Sequence, residues 1–175
     1  MPTEPTCFRR PLHMRQRHAS ANRSRQAKEC HPCQQKTKSA RHLDQFYSAL
    51  NHMVGGDAAP LADIWSHSAT VTTMHPIGGR QVGWDEVRQT WEQTAQLASE
   101  GHVKLEDQII QASGDMAYEL GLEQGEAKFA GQKVAFGQRV TNVYRREAGS
   151  WKIVHHHTDL SPAMLGVLSH LPSKG

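Results

Sequence analysis

Beyond residue 38 this chain has no cysteine. Its three, Cys7, Cys30 and Cys33, all precede that point, so no disulfide framework holds the rest together, and redox compartment cannot be read from the count. Long apolar runs are also missing: nothing approaches the ~18 residues a membrane span needs. After Arg9 and Arg10 comes the polar stretch PLHMRQRHAS, which is no signal-peptide core. These absences lead to the expectation of a soluble cytoplasmic protein without a membrane partner.

Positive charge is scarce where a nucleic-acid-binding domain would carry it. The first 38 residues hold nine Lys and Arg against Glu4 and Glu29, so they carry +7 of an overall +3 and leave −4 for the remainder. The basicity belongs to the N-terminal segment, and no aromatic-and-basic stacking array appears elsewhere, which argues against nucleic acid as a partner. That segment is rich in Arg, Gln, Ser and His without hydrophobic period and is expected to be a disordered tail over residues 1–38. It is Arg-rich and acid-poor like a transit peptide, which makes an organelle the alternative location; an inert stretch upstream of the true start is the other reading. Cys30-His31-Pro32-Cys33 has redox or half-zinc-site spacing, but only Cys7, His13 and His18 are at hand to complete a site.

What remains is long enough for one domain, expected over 39–165 with a C-terminal tail at 166–175. Leu43, Phe46, Tyr47, Leu50, Met53 and Val54 recur in steps of three and four, an amphipathic helix ended by Gly55-Gly56. A short helical piece carries Leu61, Ile64 and Trp65. ATVTTMH (69–75) reads as a strand stopped by Pro76 and Gly78-Gly79, and after Gly83 helical spacing returns from Trp84 to Ser99. From Val103 the period is two. Strands are expected over 103–112, around 116–122 with Met116, Tyr118, Leu120 and Leu122 as the dry face, over 134–146, and through SWKIVHHHTD (150–159), with turns at Ser113-Gly114-Asp115 and Glu147-Ala148-Gly149-Ser150. Helices followed by antiparallel strands give an α+β arrangement.

Alternation then assigns faces. On the last strand Trp151, Ile153, His155 and His157 share a parity opposite to His156. On the preceding strand Val134, Phe136, Val140 and Tyr144 share theirs with Gln138 and Asn142, and two buried amides need partners, for which a ligand or ordered water is the economical choice. A common cavity is expected to receive Trp65, Trp91, His75, Tyr118, His155 and His157: mostly apolar, with a few convergent polar groups, suited to a small apolar ligand. His75, with an ordinary imidazole pKa near ~6.5, is the candidate general base, oriented by His155, His157, Gln138 or Asn142. His75, His155 and His157 together would make a three-imidazole metal site, held open as an alternative to the expectation of no cofactor. A non-catalytic binding or pairing module, using an outer face with His156, Arg139 and Arg145, is the third class.

The helix ending in a Gly-Asp step (46–57), the Trp65 segment followed by SATVTTMHPIGG, Gly83 and the closing GSWKIVHHHTD resemble, in order and spacing over about 40–162, the nuclear transport factor 2-like superfamily, especially its SnoaL-like and ketosteroid-isomerase-like members. The resemblance implies a cone-shaped α+β barrel, a strongly curved, mostly antiparallel sheet wrapped around three N-terminal helices, often paired as a homodimer through the outer sheet face. It implies cofactor-independent isomerase, dehydratase or hydrolase chemistry among many functions the fold hosts. The resemblance places the family's carboxylate base at His75 and its tyrosine donor at Phe46 or Tyr47, of which Tyr47 is the candidate.

Overall fold

The computed structural model describes residues 45–171; the basic N-terminal segment, its cysteines and the first turn of the predicted helix at Leu43 lie outside them. Helix α1 (Gln45–Val54) presents Phe46, Ala49, Leu50, Met53 and Val54 to the interior, as the three-and-four spacing requires. It ends at Gly56, whose φ of 105° is open to glycine at little cost. Asn51 fastens α1 to the sheet by imitating a strand: its Nδ2 donates to Val103 O at 2.9 Å and its Oδ1 accepts from Val103 N at 2.8 Å.

A 3-10 turn (Ala59–Asp63), β1 (Thr72–His75) and β2 (Gly78–Val82) follow, then α2 (Trp84–Leu97), β3 (Ala98–Ser113), β4 (Met116–Phe129), β5 (Gln132–Glu147), β6 (Ser150–Thr158) and α3 (Pro162–Leu168). Among the described residues six strands form one sheet in the order β2-β1-β6-β5-β4-β3. Among these strands only the β1–β6 pairing is parallel, and a single parallel bridge joins Trp65 to Ile153 of β6. The fold is thus α+β, with the helices on the inner face of a curved sheet. Phe46, Trp65, Val71, Val87, Trp91, Tyr144 and Ile153 form the centre of the core. No helix among the described residues is long and apolar enough to cross a membrane.

Three local readings of the sequence are corrected. The first strand does end at His75, before Pro76, but the Gly78-Gly79 pair is not a loop: after a Pro76-Ile77 turn it opens β2, an edge strand antiparallel to β1. Helix α2 ends at Leu97 and β3 starts at once, with register shifts at 99–102 and 106–109 where Glu100 and Asp107 take positive φ; such bulges bend a strand around its core. Residues 162–168 are helical, begun by Pro162 and capped by Ser161 Oγ. Ser161 N donates to Pro76 O at 2.8 Å, tying α3 to the β1–β2 turn.

Candidate functional site

The dry face assigned to β4 is inverted. Ala117, Glu119, Glu123, Ala127 and Phe129 are buried, while Met116, Tyr118 and Leu120 are 44%, 43% and 37% exposed. The cause is the hairpin that precedes β5. Ala130 and Gly131 have φ of 49° and 82°, two successive left-handed residues as a tight two-residue turn demands. That turn sets a register in which Glu119 stands opposite Asn142 and Glu123 opposite Gln138. The nitrogens of the two inward amides therefore meet carboxylates across the strand. Close approach helps the bend: a Cβ at Gly125 would lie 2.6 Å from Phe136 Cζ.

Glu119, fully sealed from solvent, accepts three hydrogen bonds. Gln108 Nε2 donates to its Oε1 at 2.6 Å, and Asn142 Nδ2 and Tyr144 OH donate to its Oε2 at 2.8 and 2.7 Å. Asn142 passes the order on, its Oδ1 lying 2.7 Å from His156 Nδ1. Glu123, 2% exposed, has fewer partners: Tyr47 OH donates to Oε1 at 3.1 Å and Gln138 Nε2 to Oε2 at 2.9 Å. Burial pushes its carboxyl up to about 7 against the relief those two donors supply. Burial first, then Glu123, raises the Tyr47 phenol above its usual range.

Glu123 lines an interior cavity. Its walls are Leu50, Met53 and Val54 of α1, Trp91 and Thr94 of α2, Val103 of β3, Phe136 and Gln138 of β5, His156 of β6, the His75-Pro76-Ile77 corner and Met164 of α3. The cavity is about 40 Å³, room for a few waters. A larger guest has to move side chains, and Met53 and Met164 are the pliable ones. His75 is 2% exposed, edge-on to Trp91 with ring centroids 4.4 Å apart. Thr73 Oγ1 lies 3.4 Å from its Nε2. Burial lowers it to about 4, so the ring is neutral at pH 7.

The histidine triplet is read the wrong way round by simple alternation. Tyr144 pairs with Ile153 but Val143 pairs with His155, so Val154 is an extra residue in β6. A bulge reverses the parity beyond it. Trp151, Ile153, His156 and Thr158 are buried, whereas His155 is partly exposed and His157 exposed. His155 Nδ1 lies 2.7 Å from Thr72 Oγ1. His155, His157 and Tyr118 thus leave the cavity, and His156 enters it. His75 is separated from the other two by the sheet, so the three-imidazole metal site cannot assemble; no cluster of three metal-ligating side chains occurs among the described residues.

Of the remaining sequence candidates, His75, Trp91 and Gln138 are on the cavity wall. Tyr47 and Asn142 reach it through Glu123 and His156. Trp65 is packed in the core, its ring centroid 6.4 Å from that of Trp91, and does not line the hollow. Sequence reasoning missed Glu119, Glu123 and His156. The Ala130-Gly131 turn held the signal for both glutamates, because a two-residue hairpin through it fixes their opposition to the amides.

The profile of the SnoaL-like domain family matches residues 41–164. Among solved structures the chain is similar to a candidate dehydratase of the NTF2-like family from Streptomyces avermitilis, at 23% identity over 69% of this chain and 91% of that one, with TM-score 0.60. It is similar to a candidate ketosteroid isomerase from Shewanella frigidimarina, at 18% identity over 70% and 95%, with TM-score 0.57. It also resembles the association domain of CaMKII from C. elegans, at 16% identity over 67% and 91%, with TM-score 0.53. No curated protein matches by sequence.

Proposed function

From the premise that the chain belongs to the SnoaL-like domain family, we propose that it binds a small, largely apolar molecule in the cone's cavity and moves a proton on it without a cofactor, by dehydration or isomerisation. The observation that carries this is Glu123: a buried carboxyl on the cavity wall, held by Tyr47 and Gln138 and pushed up to about 7. A group with that value takes and returns a proton at neutral pH. In a dehydration, the Glu123 carboxylate takes a proton from carbon next to a carbonyl. The C–H electrons become the new C=C bond, the C–O bond breaks, and the same proton leaves with the departing hydroxide as water. His75 belongs to the same machinery, but near 4 it is a weaker base than Glu123. It serves as a neutral imidazole that hydrogen-bonds substrate oxygen. The candidate dehydratase among the neighbours supports this reaction class through the shared fold alone.

The test is a compact β-hydroxy ketone, 3-hydroxycyclohexanone, whose elimination to cyclohexenone is followed by ultraviolet absorbance. Faster elimination by the full chain than by its Glu123→Gln variant is expected. Equal rates for the two proteins would end the reading.

A second reading concerns the outer face, and both can hold. Ile109, Met116, Tyr118 and Leu120 are exposed on neighbouring strands, with Ile109 opposite Leu120. An apolar patch of this kind on a sheet face suits a second copy of the chain, and the association domain among the neighbours supports pairing. Sedimentation of the wild type and of Leu120→Glu checks it: a dimer that becomes a monomer is expected, and a monomeric wild type rejects it.

A further inference from the structure

Hydrogen-bond direction along the buried network fixes what the cavity offers a guest. Both oxygens of Glu119 accept, from Gln108 and from Tyr144 and Asn142. Asn142 must therefore turn its amide nitrogen to Glu119 and its oxygen to His156. An amide oxygen only accepts, so His156 Nδ1, 2.7 Å away, carries the hydrogen. In a neutral ring the other nitrogen, Nε2, is then a bare acceptor. His156 is 2% exposed, lines the cavity and sits among Phe46, Trp91 and His75, with ring centroids 5.3, 5.5 and 6.2 Å away. Among the described residues none of these donates to its Nε2, and the nearby Trp91 Nε1–H is itself without a partner. Burial, then the charge His75 would carry, holds its pKa well below the usual imidazole range.

Gln138 repeats the pattern independently. Its Nε2 is given to Glu123, which leaves its Oε1 buried on the same wall without a partner. A buried acceptor left unmatched costs about 1 to 3 kcal/mol. Two acceptors from two strands therefore await a donor inside one apolar hollow. Trp91 Nε1 is also buried without a partner, and a hydroxyl oxygen can accept from it.

We propose that His156 is locked as the Nδ1–H tautomer by Glu119 through Asn142, and that the molecule this cavity takes is a small, largely apolar one bearing a hydroxyl, with or without a carbonyl beside it, whose hydroxyl donates to His156 Nε2 or Gln138 Oε1. A ketone of the same shape that lacks the hydroxyl has no hydrogen to give and is discriminated against. Glu119 and Asn142 are positioning residues: they set which His156 nitrogen is bare and touch no guest themselves. The ligand class rests on the cavity reading above; the tautomer does not.

The experiment uses the full chain with ¹⁵N-labelled histidine at pH 7, His156 being assigned by its loss in His156→Phe. The Nε2 signal is expected at the position of an unprotonated ring nitrogen, and in Glu119→Gln, where Asn142 is free to turn over, both tautomers should appear. An Nε2–H tautomer or an imidazolium in the wild type overturns the lock. Cyclohexanol and cyclohexanone, nearly equal in shape, are then titrated against the same signals. Cyclohexanol is expected to bind about tenfold more tightly, as one buried hydrogen bond gives. That preference should shrink in His156→Phe and in Gln138→Met, two variants that alter different strands. Equal binding, or a preference for the ketone, overturns the ligand class alone. If neither molecule shifts a cavity signal, the ligand class falls together with the cavity reading, while the tautomer result stands or falls by itself.

Discussion

Glu119 and Glu123 lie on one face of β4, four residues apart and both sealed from solvent, yet their surroundings give them different work. Glu119 accepts three hydrogen bonds and does not line the cavity. Glu123 accepts two, at 3.1 and 2.9 Å, and borders the hollow. The lesson is that burial alone does not make a carboxyl reactive. The number of committed donors and the presence of open space beside it decide whether it anchors a network or exchanges a proton.

That contrast is open to attack. The largest expected effect is Glu123→Gln, which keeps the shape and removes the titrating group. Turnover of a competent substrate should drop by about 10² to 10⁴, with thermal stability equal to or above that of the wild type. Glu119→Ala should do the opposite. It leaves Gln108, Asn142 and Tyr144 without their acceptor, and denaturant unfolding should show a loss of about 3 to 5 kcal/mol. A Glu119 variant with normal stability would erase the distinction.

The dependence of stability on pH sharpens it further. Glu123 rises from 4.5 to about 7 on folding, so the folded state holds its proton longer. Its contribution is fully present below about 4.5 and is lost as pH climbs through 7. His75 falls from 6.5 to about 4, so the folded state sheds its proton first, and stability from this group grows as pH rises from 4 to 6.5; His156 acts in the same direction. Glu123 and His75 each amount to about 3 kcal/mol. Their slopes oppose one another between about 4.5 and 6.5, and only the fall due to Glu123 remains above that. Melting curves across pH 4 to 8 should therefore rise more steeply to 6.5 in Glu123→Gln and lose the decline near 7.

Tyr47→Phe removes one of the two donors to Glu123. It should cost about 1 kcal/mol and move the alkaline-rising limb of the pH–rate profile to higher pH, since a carboxylate with fewer donors holds its proton more firmly. The smallest effect is expected outside: His157→Ala, on the exposed face, should alter stability by no more than about 0.5 kcal/mol and leave cavity binding unchanged, whereas His156→Ala should not.

Amphipathic spacing from Phe46 to Val54, the Gly83 start of α2 and the period-two run after Gly101 were all legible as elements, because apolar period is a local property. Which face of a strand turns inward was legible on β5, where Val134, Val140 and Tyr144 carry Gln138 and Asn142 with them. It was not legible on β4, where the more apolar face is the outer one and the inner one holds glycine, alanine and two glutamates. Nor was it on β6, where Val154 adds a residue to one strand and reverses everything after it.

The residues themselves therefore determined the class of fold, the elements, and the presence of inward amides that need partners. Tertiary structure alone decided who those partners are and which imidazole faces the hollow. Side-chain direction along a strand is inherited from register, and register is set between strands: by the Ala130-Gly131 turn that brings Glu119 and Glu123 opposite the amides, and by the bulge that turns His156 in and His155 and His157 out.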